Sequence, residues 1–165
     1  MKFNKSVVMG LTLAALGVAA QPVTDPDWKE SAAPPPPAFD VSRLIPIEMP
    51  SYVSLRFGVD PATLSITPDG IVRYVAAAKS RTGSISAMYE GIRCATAEVK
   101  TFARFASNGQ WTLVADPQWQ DWNGNLPSKH AMALARQGLC EGRATAASSV
   151  PAIVKALKNV NPHPF

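Results

Sequence analysis

Thr67-Pro68-Asp69-Gly70-Ile71-Val72-Arg73-Tyr74-Val75-Ala76-Ala77-Ala78-Lys79 decides the fold class. Proline presets the second position of a β-turn, and glycine closes the fourth. The nine residues after the turn put Val72, Tyr74, Ala76 and Ala78 on one face, which is the period of a strand. Outward in both directions the same grammar repeats. Residues 52–57 alternate large and polar side chains before Gly58, and residues 63–67 form another short extended run. Residues 80–84 turn again. Ile85, Ala87 and Tyr89 then alternate with Ser86, Met88 and Glu90, predicting a strand that ends at Gly91, with a short helix over 87–94 as the competing reading. Residues 98–105 place Val99, Thr101, Ala103 and Phe105 on one face and Glu98, Lys100, Phe102 and Arg104 on the other. Asn108-Gly109 is a strong hairpin signal, with residues 110–115 as the return strand. Connections this short require antiparallel neighbours.

Beyond residue 126 the period changes. Pro127 opens a helical stretch over 127–139, where Met132, Ala135 and Leu139 recur at spacings of three and four and Gly138 marks the end. In the last stretch Val150, Ile153, Val154, Leu157 and Val160 form one stripe. Ser148 or Ser149 can cap it, Pro151 sits in its first turn, and Pro162 and Pro164 forbid continuation. Strands followed by helices predict an α+β domain: a five- to six-stranded antiparallel meander with two C-terminal helices packed on one face.

Residues 1–20 combine Lys2 and Lys5, an uncharged run from Val7 to Ala19, and small residues before Ala20, the three-part plan of a signal peptide. The apolar run is about a dozen residues, and roughly twenty are needed to span a bilayer. Cleavage after Ala20 would leave no transmembrane span and place the chain in the bacterial periplasm. The chain carries sixteen Lys and Arg against twelve Asp and Glu, and removing Lys2 and Lys5 with the leader leaves an excess of about two. The basic residues are scattered, which excludes a nucleic-acid reading based on a concentrated patch. Residues 21–38 contain Pro34-Pro35-Pro36-Pro37 and read as an extended proline-rich linker, reaching roughly 55 Å at about 3.1 Å per residue. The linker is expected to make few contacts with the domain of residues 39–165.

Cys94 and Cys140 are the two cysteines, and in an oxidising compartment they are expected to pair. Closing about 46 residues contributes roughly 4 kcal/mol on the chain-entropy estimate. Two thiols cannot build a four-ligand zinc site, and no metal or cofactor motif is legible. His130 is a conceivable general base, although no Gly-x-Ser-x-Gly elbow supports a serine triad. Glu90 and Arg93 can pair or clamp a ligand beside Tyr89. Trp119 and Trp122, with Asp121 between them, read as a loop that lines a ligand surface or lids the core. With no assembled catalytic set, the expectation is a non-catalytic envelope protein on a flexible tether that binds a protein, peptide or glycan. The alternative is a hydrolase of cell-wall or peptide substrates using His130 with Glu90 or Asp121.

Asp27-Trp28-Lys29-Glu30 ahead of the prolines, Leu44-Ile45-Pro46-Ile47, Phe57-Gly58-Val59-Asp60-Pro61-Ala62-Thr63-Leu64, Tyr89-Glu90-Gly91-Ile92-Arg93-Cys94-Ala95-Thr96 and Ala135-Arg136-Gln137-Gly138 together resemble the cryptic neisserial protein family. The resemblance implies a small exported or lipid-anchored envelope protein, mainly of beta-proteobacteria. It carries over no catalytic residue. This chain lacks the lipid-accepting cysteine of some relatives.

Overall fold

A computed structural model describes residues 25–106 and 108–159. The expected signal peptide of residues 1–20, residues 21–24, Val160, Pro162 and Pro164 lie outside the described residues.

The chain is α+β, as its pattern predicts. The strands, in chain order, are β1 (Ile45–Ile47), β2 (Arg56–Val59), β3 (Ser65–Ile66), β4 (Ile71–Lys79), β5 (Ile85–Arg93), β6 (Glu98–Phe105), β7 (Trp111–Leu113) and β8 (Gln120–Asp121). Among the described residues they form one eight-stranded antiparallel sheet ordered β1-β2-β4-β5-β6-β7. β3 shares an edge of β4 with β2, and β8 shares an edge of β6 with β7. The expected five or six strands undercount because β3 and β8 are two-residue pairings, too short to show a period. Residues 119–122, expected as a loop, therefore include an edge strand. Helix α1 (His130–Leu134) continues as a wider π-helical turn over Ala135–Leu139, and α2 covers Val150–Lys158. Between them Cys140–Glu141 (β9) pairs with Ala144–Thr145 (β10).

Each face of the sheet has its own cover. Val72, Tyr74, Ala76 and Ala78 pack with Ile92, Val99, Trp122 and the buried Leu134, Leu139, Ile153 and Leu157 of the helical layer. Gly138 makes that layer tight. Its φ of 140° is one that side chains rarely adopt, and a Cβ there would sit 3.0 Å from the Cβ of Ala156 in α2. Gln137 joins the layers. Its Nε2 donates to the carbonyls of Pro46 and Leu157, at 2.8 and 3.1 Å, and its Oε1 accepts from the Glu48 amide at 2.9 Å.

The opposite face packs Val75, Ala77, Tyr89, Phe102 and Ala103 against Leu44, Phe39, Phe105 and Trp111. A bulge sets this arrangement: Tyr89 pairs with Ala103 and Glu90 with Thr101, so Phe102 is the extra residue on β6. It breaks the expected alternation. Val99 and Thr101 face the helices, but Ala103 and Phe105 cross to the other side and join Phe102.

That second face is crossed by the chain's own N-terminal strap, residues 28–43. At one end the Trp28 indole donates to the Asp69 carbonyl at 2.8 Å, and Ser31 donates its amide and hydroxyl to the Asp69 carboxylate at 2.6 and 2.7 Å. At the other, fully buried Asp60 accepts from the Asp40 amide at 2.8 Å and from Arg43 at 2.8 and 3.1 Å. The expectation of few contacts therefore fails for residues 28–32. Their donors and acceptors are drawn down by the polar groups of the turn before β4 and of β4 itself, which a reading of the proline run alone does not reveal.

Candidate functional site

The two faces divide the candidate residues. Under the helices, β4, β5, β6 and α1 bring Tyr74, Glu90, Thr101 and His130 to one point. Tyr74, Glu90 and Thr101 lie opposite one another in the ladder, so all three share a face. Tyr74 donates to Glu90 Oε2 at 3.0 Å, and Thr101 donates to Oε1 at 3.0 Å. His130 Nε2 lies 2.7 Å from Oε2, and its Nδ1 is 2.9 Å from Ser128 Oγ. With Glu90 ionised, Nε2 carries a proton and donates. Phe57 stacks on the imidazole, the planes 3° apart and the centroids 5.1 Å apart. Glu90 is 2% exposed and His130 4%. Burial pushes the Glu90 carboxyl up, but the charge His130 can carry and hydrogen bonds from His130, Thr101 and Tyr74 outweigh it and hold the group below the ordinary range. Burial first, and Glu90 second, push the Tyr74 phenol well above its usual value.

Chemically, Ser128, His130 and Glu90 form a hydroxyl–imidazole–carboxylate chain. A nucleophile needs an open cleft and donors for the developing oxyanion. The described grooves lie elsewhere. One of about 400 Å³ borders the helical layer at Glu48, Met49, Lys129 and Arg136, and one of about 650 Å³ lies on the strapped face between Pro36, Phe39, Phe105 and Trp111.

The strapped face holds the other set. Arg73 on β4 lies opposite Gly91 on β5, and Gly91 lies opposite Lys100 on β6, so two cations flank a glycine in one row. The space over Gly91 is filled: a Cβ there would come within 2.8 Å of Ile71 and 3.1 Å of Phe102. Arg93 lies in the adjoining row. Its guanidinium stacks on Trp28, 3.6 Å from the ring centroid. Glu30 of the strap lies between Lys100 Nζ at 2.8 Å and the Trp119 indole nitrogen, which donates to it at 2.9 Å. Trp28 and Trp119 meet edge to face at 6.2 Å.

The sequence candidates separate accordingly. Trp119 is half-buried on the strapped face, whereas Trp122 is 8% exposed and packs in the helix-side core. The two rings point opposite ways because they flank the short strand β8, and residues three apart along an extended chain lie on opposite faces. The same parity separates Glu90 from Arg93 and removes the expected pair. Trp122, Tyr89, Glu90 and His130 are buried and line no surface. Asp121 is exposed and accepts from Asn123, so it is not the partner of His130. Cys94 and Cys140 are bonded, with Cα atoms 5.7 Å apart, inside the 4.4–6.8 Å range a disulfide requires. Sequence reasoning missed Arg73 and Lys100, whose cation spacing is visible only once the register is known, and Glu30, which meets Lys100 from 70 residues away.

No group of three or more His, Cys, Asp or Glu among the described residues is placed to hold a metal ion. Likewise, no described helix is long and apolar enough to cross a membrane.

The model of the CNP1-like family matches residues 23–158. No curated protein and no solved structure matches.

Proposed function

The chain belongs to the CNP1-like family, and from that premise we propose that it is an exported envelope protein, of the cryptic neisserial type, that binds a partner in the periplasm and carries out no covalent chemistry. The observation that carries this reading is the contrast between the two sites. The titratable pair His130–Glu90 is sealed in the core, while half-exposed Trp28, Arg93 and Trp119 gather on the strapped face, which also carries the open groove at Phe39 and Trp111. Tryptophan and arginine are enriched at binding hot spots. The leader-like residues 1–20, the disulfide and the resemblance support the compartment. The strap takes over the place of the flexible tether in this reading.

The test is site-specific photo-cross-linking in cells. A photoreactive residue at position 119 of the full chain is expected to give a discrete adduct, while one at Lys155, on the outer side of α2, gives none. Absence of any adduct at 119 would remove the reading.

The hydrolase reading keeps one specific observation in its favour, the Ser128–His130–Glu90 chain. A fluorophosphonate probe decides between them. The binding reading requires no labelling of the folded protein. Labelling that Ser128→Ala abolishes would establish the hydrolase instead.

A further inference from the structure

The strapped face has more hydrogen-bond donors and more positive charge than the strap satisfies. Arg73 is 3% exposed, and its Nε is buried without a hydrogen-bond partner. Its other nitrogens reach only the Ser31 and Ala32 carbonyls and the Ser31 hydroxyl. Arg93 faces a ring. Among the described residues it has no carboxylate partner, and Glu98, opposite it in the ladder, forms no ion pair with it. Asp69 is committed to Ser31 and Thr67. The strap carboxylate Glu30 thus answers Lys100 alone, and the contacts of Arg73 and Arg93 include no carboxylate. A buried arginine without an acid is costly, and an unbonded buried donor adds to that cost. Such a site favours an occupant with more carboxylate than the present one.

We propose that the row Arg73–Gly91–Lys100, with Arg93 and Trp119, is a binding site for an extended acidic polypeptide segment, and that residues 28–32 fill it as a replaceable built-in ligand. The strap displays the recognition pattern. An aromatic ring stacks on Arg93, and two residues on, a carboxylate enters between Lys100 and the Trp119 indole. Two backbone carbonyls then meet Arg73. Backbone acceptors bind any extended chain, while the ring and the acid select the sequence. The site lies on the surface of the binding reading above and rests on it.

A tethered segment competes at an effective concentration on the order of millimolar. A free peptide at micromolar concentration is therefore excluded from the wild-type chain, and the test weakens the strap within the full chain. The probe is a labelled peptide of residues 27–33, read by fluorescence anisotropy. The Trp28→Ala/Glu30→Ala chain is expected to bind it at least tenfold more tightly than wild type. A peptide with Glu30→Gln, or a Lys100→Ala change added to the strap variant, is expected to lose at least tenfold. Equal binding by variant and wild type, or equal binding of the Glu and Gln peptides, overturns the proposal. A second measurement needs no variant: millimolar peptide added to wild type should speed hydrogen exchange of residues 28–32 and leave β4–β6 unchanged. No acceleration overturns it as well. Cross-linked adducts at 119 combined with failure of the peptide leave the binding reading standing and remove the acidic ligand.

Discussion

Glu90 shows how far one residue can be read. Its sequence neighbours suggest a surface pair with Arg93, but its partner is His130, 40 residues away on another element. No local period reports that meeting. The structural role predicts a pH dependence. The Glu90 carboxyl is depressed in the fold, while in the unfolded chain it titrates near about 4.3. A depressed group adds stability above its unfolded value and loses it as pH falls through its folded value. The urea midpoint should thus fall below about pH 4, and Glu90→Gln should flatten part of that slope. At pH 7 the variant should lose about 1–3 kcal/mol, because the Tyr74 and Thr101 hydroxyls and the His130 ring nitrogen lose a charged acceptor. Equal midpoints for both proteins at pH 7 would show that the pair contributes nothing.

At the level of elements, legibility follows length. β4 and β6 coincide with their expected bounds, because each carries eight or nine residues of pattern. β5 runs on to Arg93, past the expected stop at Gly91, since there the glycine leaves room for the Phe102 ring rather than making a turn. The helix expected over 127–139 begins only at His130, and Gly138 departs from helical geometry near its end. What no pattern could show is the bulge at Phe102, which changes parity midway along β6. The disulfide joins the turn after β5 to β9, across a separation of 46 residues. Replacing both cysteines with alanine should cost about 2–5 kcal/mol. Urea unfolding of the oxidised protein and the double variant measures it, and a cost below about 1 kcal/mol would mean that the helical layer holds its place without the bridge.

For the whole molecule, the consequential feature is that one face is covered by helices and the other by a strap. Residues 28 and 30 carry part of that cover, so Trp28→Ala/Glu30→Ala should lower stability by about 1–3 kcal/mol by urea unfolding while the far-ultraviolet spectrum keeps its sheet signal. An unchanged midpoint would show that the strap is not integral to the fold.

The strap also has a place in time. Glu30 lies 70 residues before Lys100 and 89 before Trp119, and Trp28 lies 41 before Asp69. At about 5–20 residues per second, synthesis of the last of these partners trails that of Glu30 by roughly 4–18 s. The strap, among the first described segments of the chain to be made, therefore waits for Trp119 before its seat is complete, and until then the Glu30–Lys100 contact lacks its second wall. Any chaperone, translocation factor or nascent neighbour that meets the polypeptide in that interval meets Lys100 in an unfinished site.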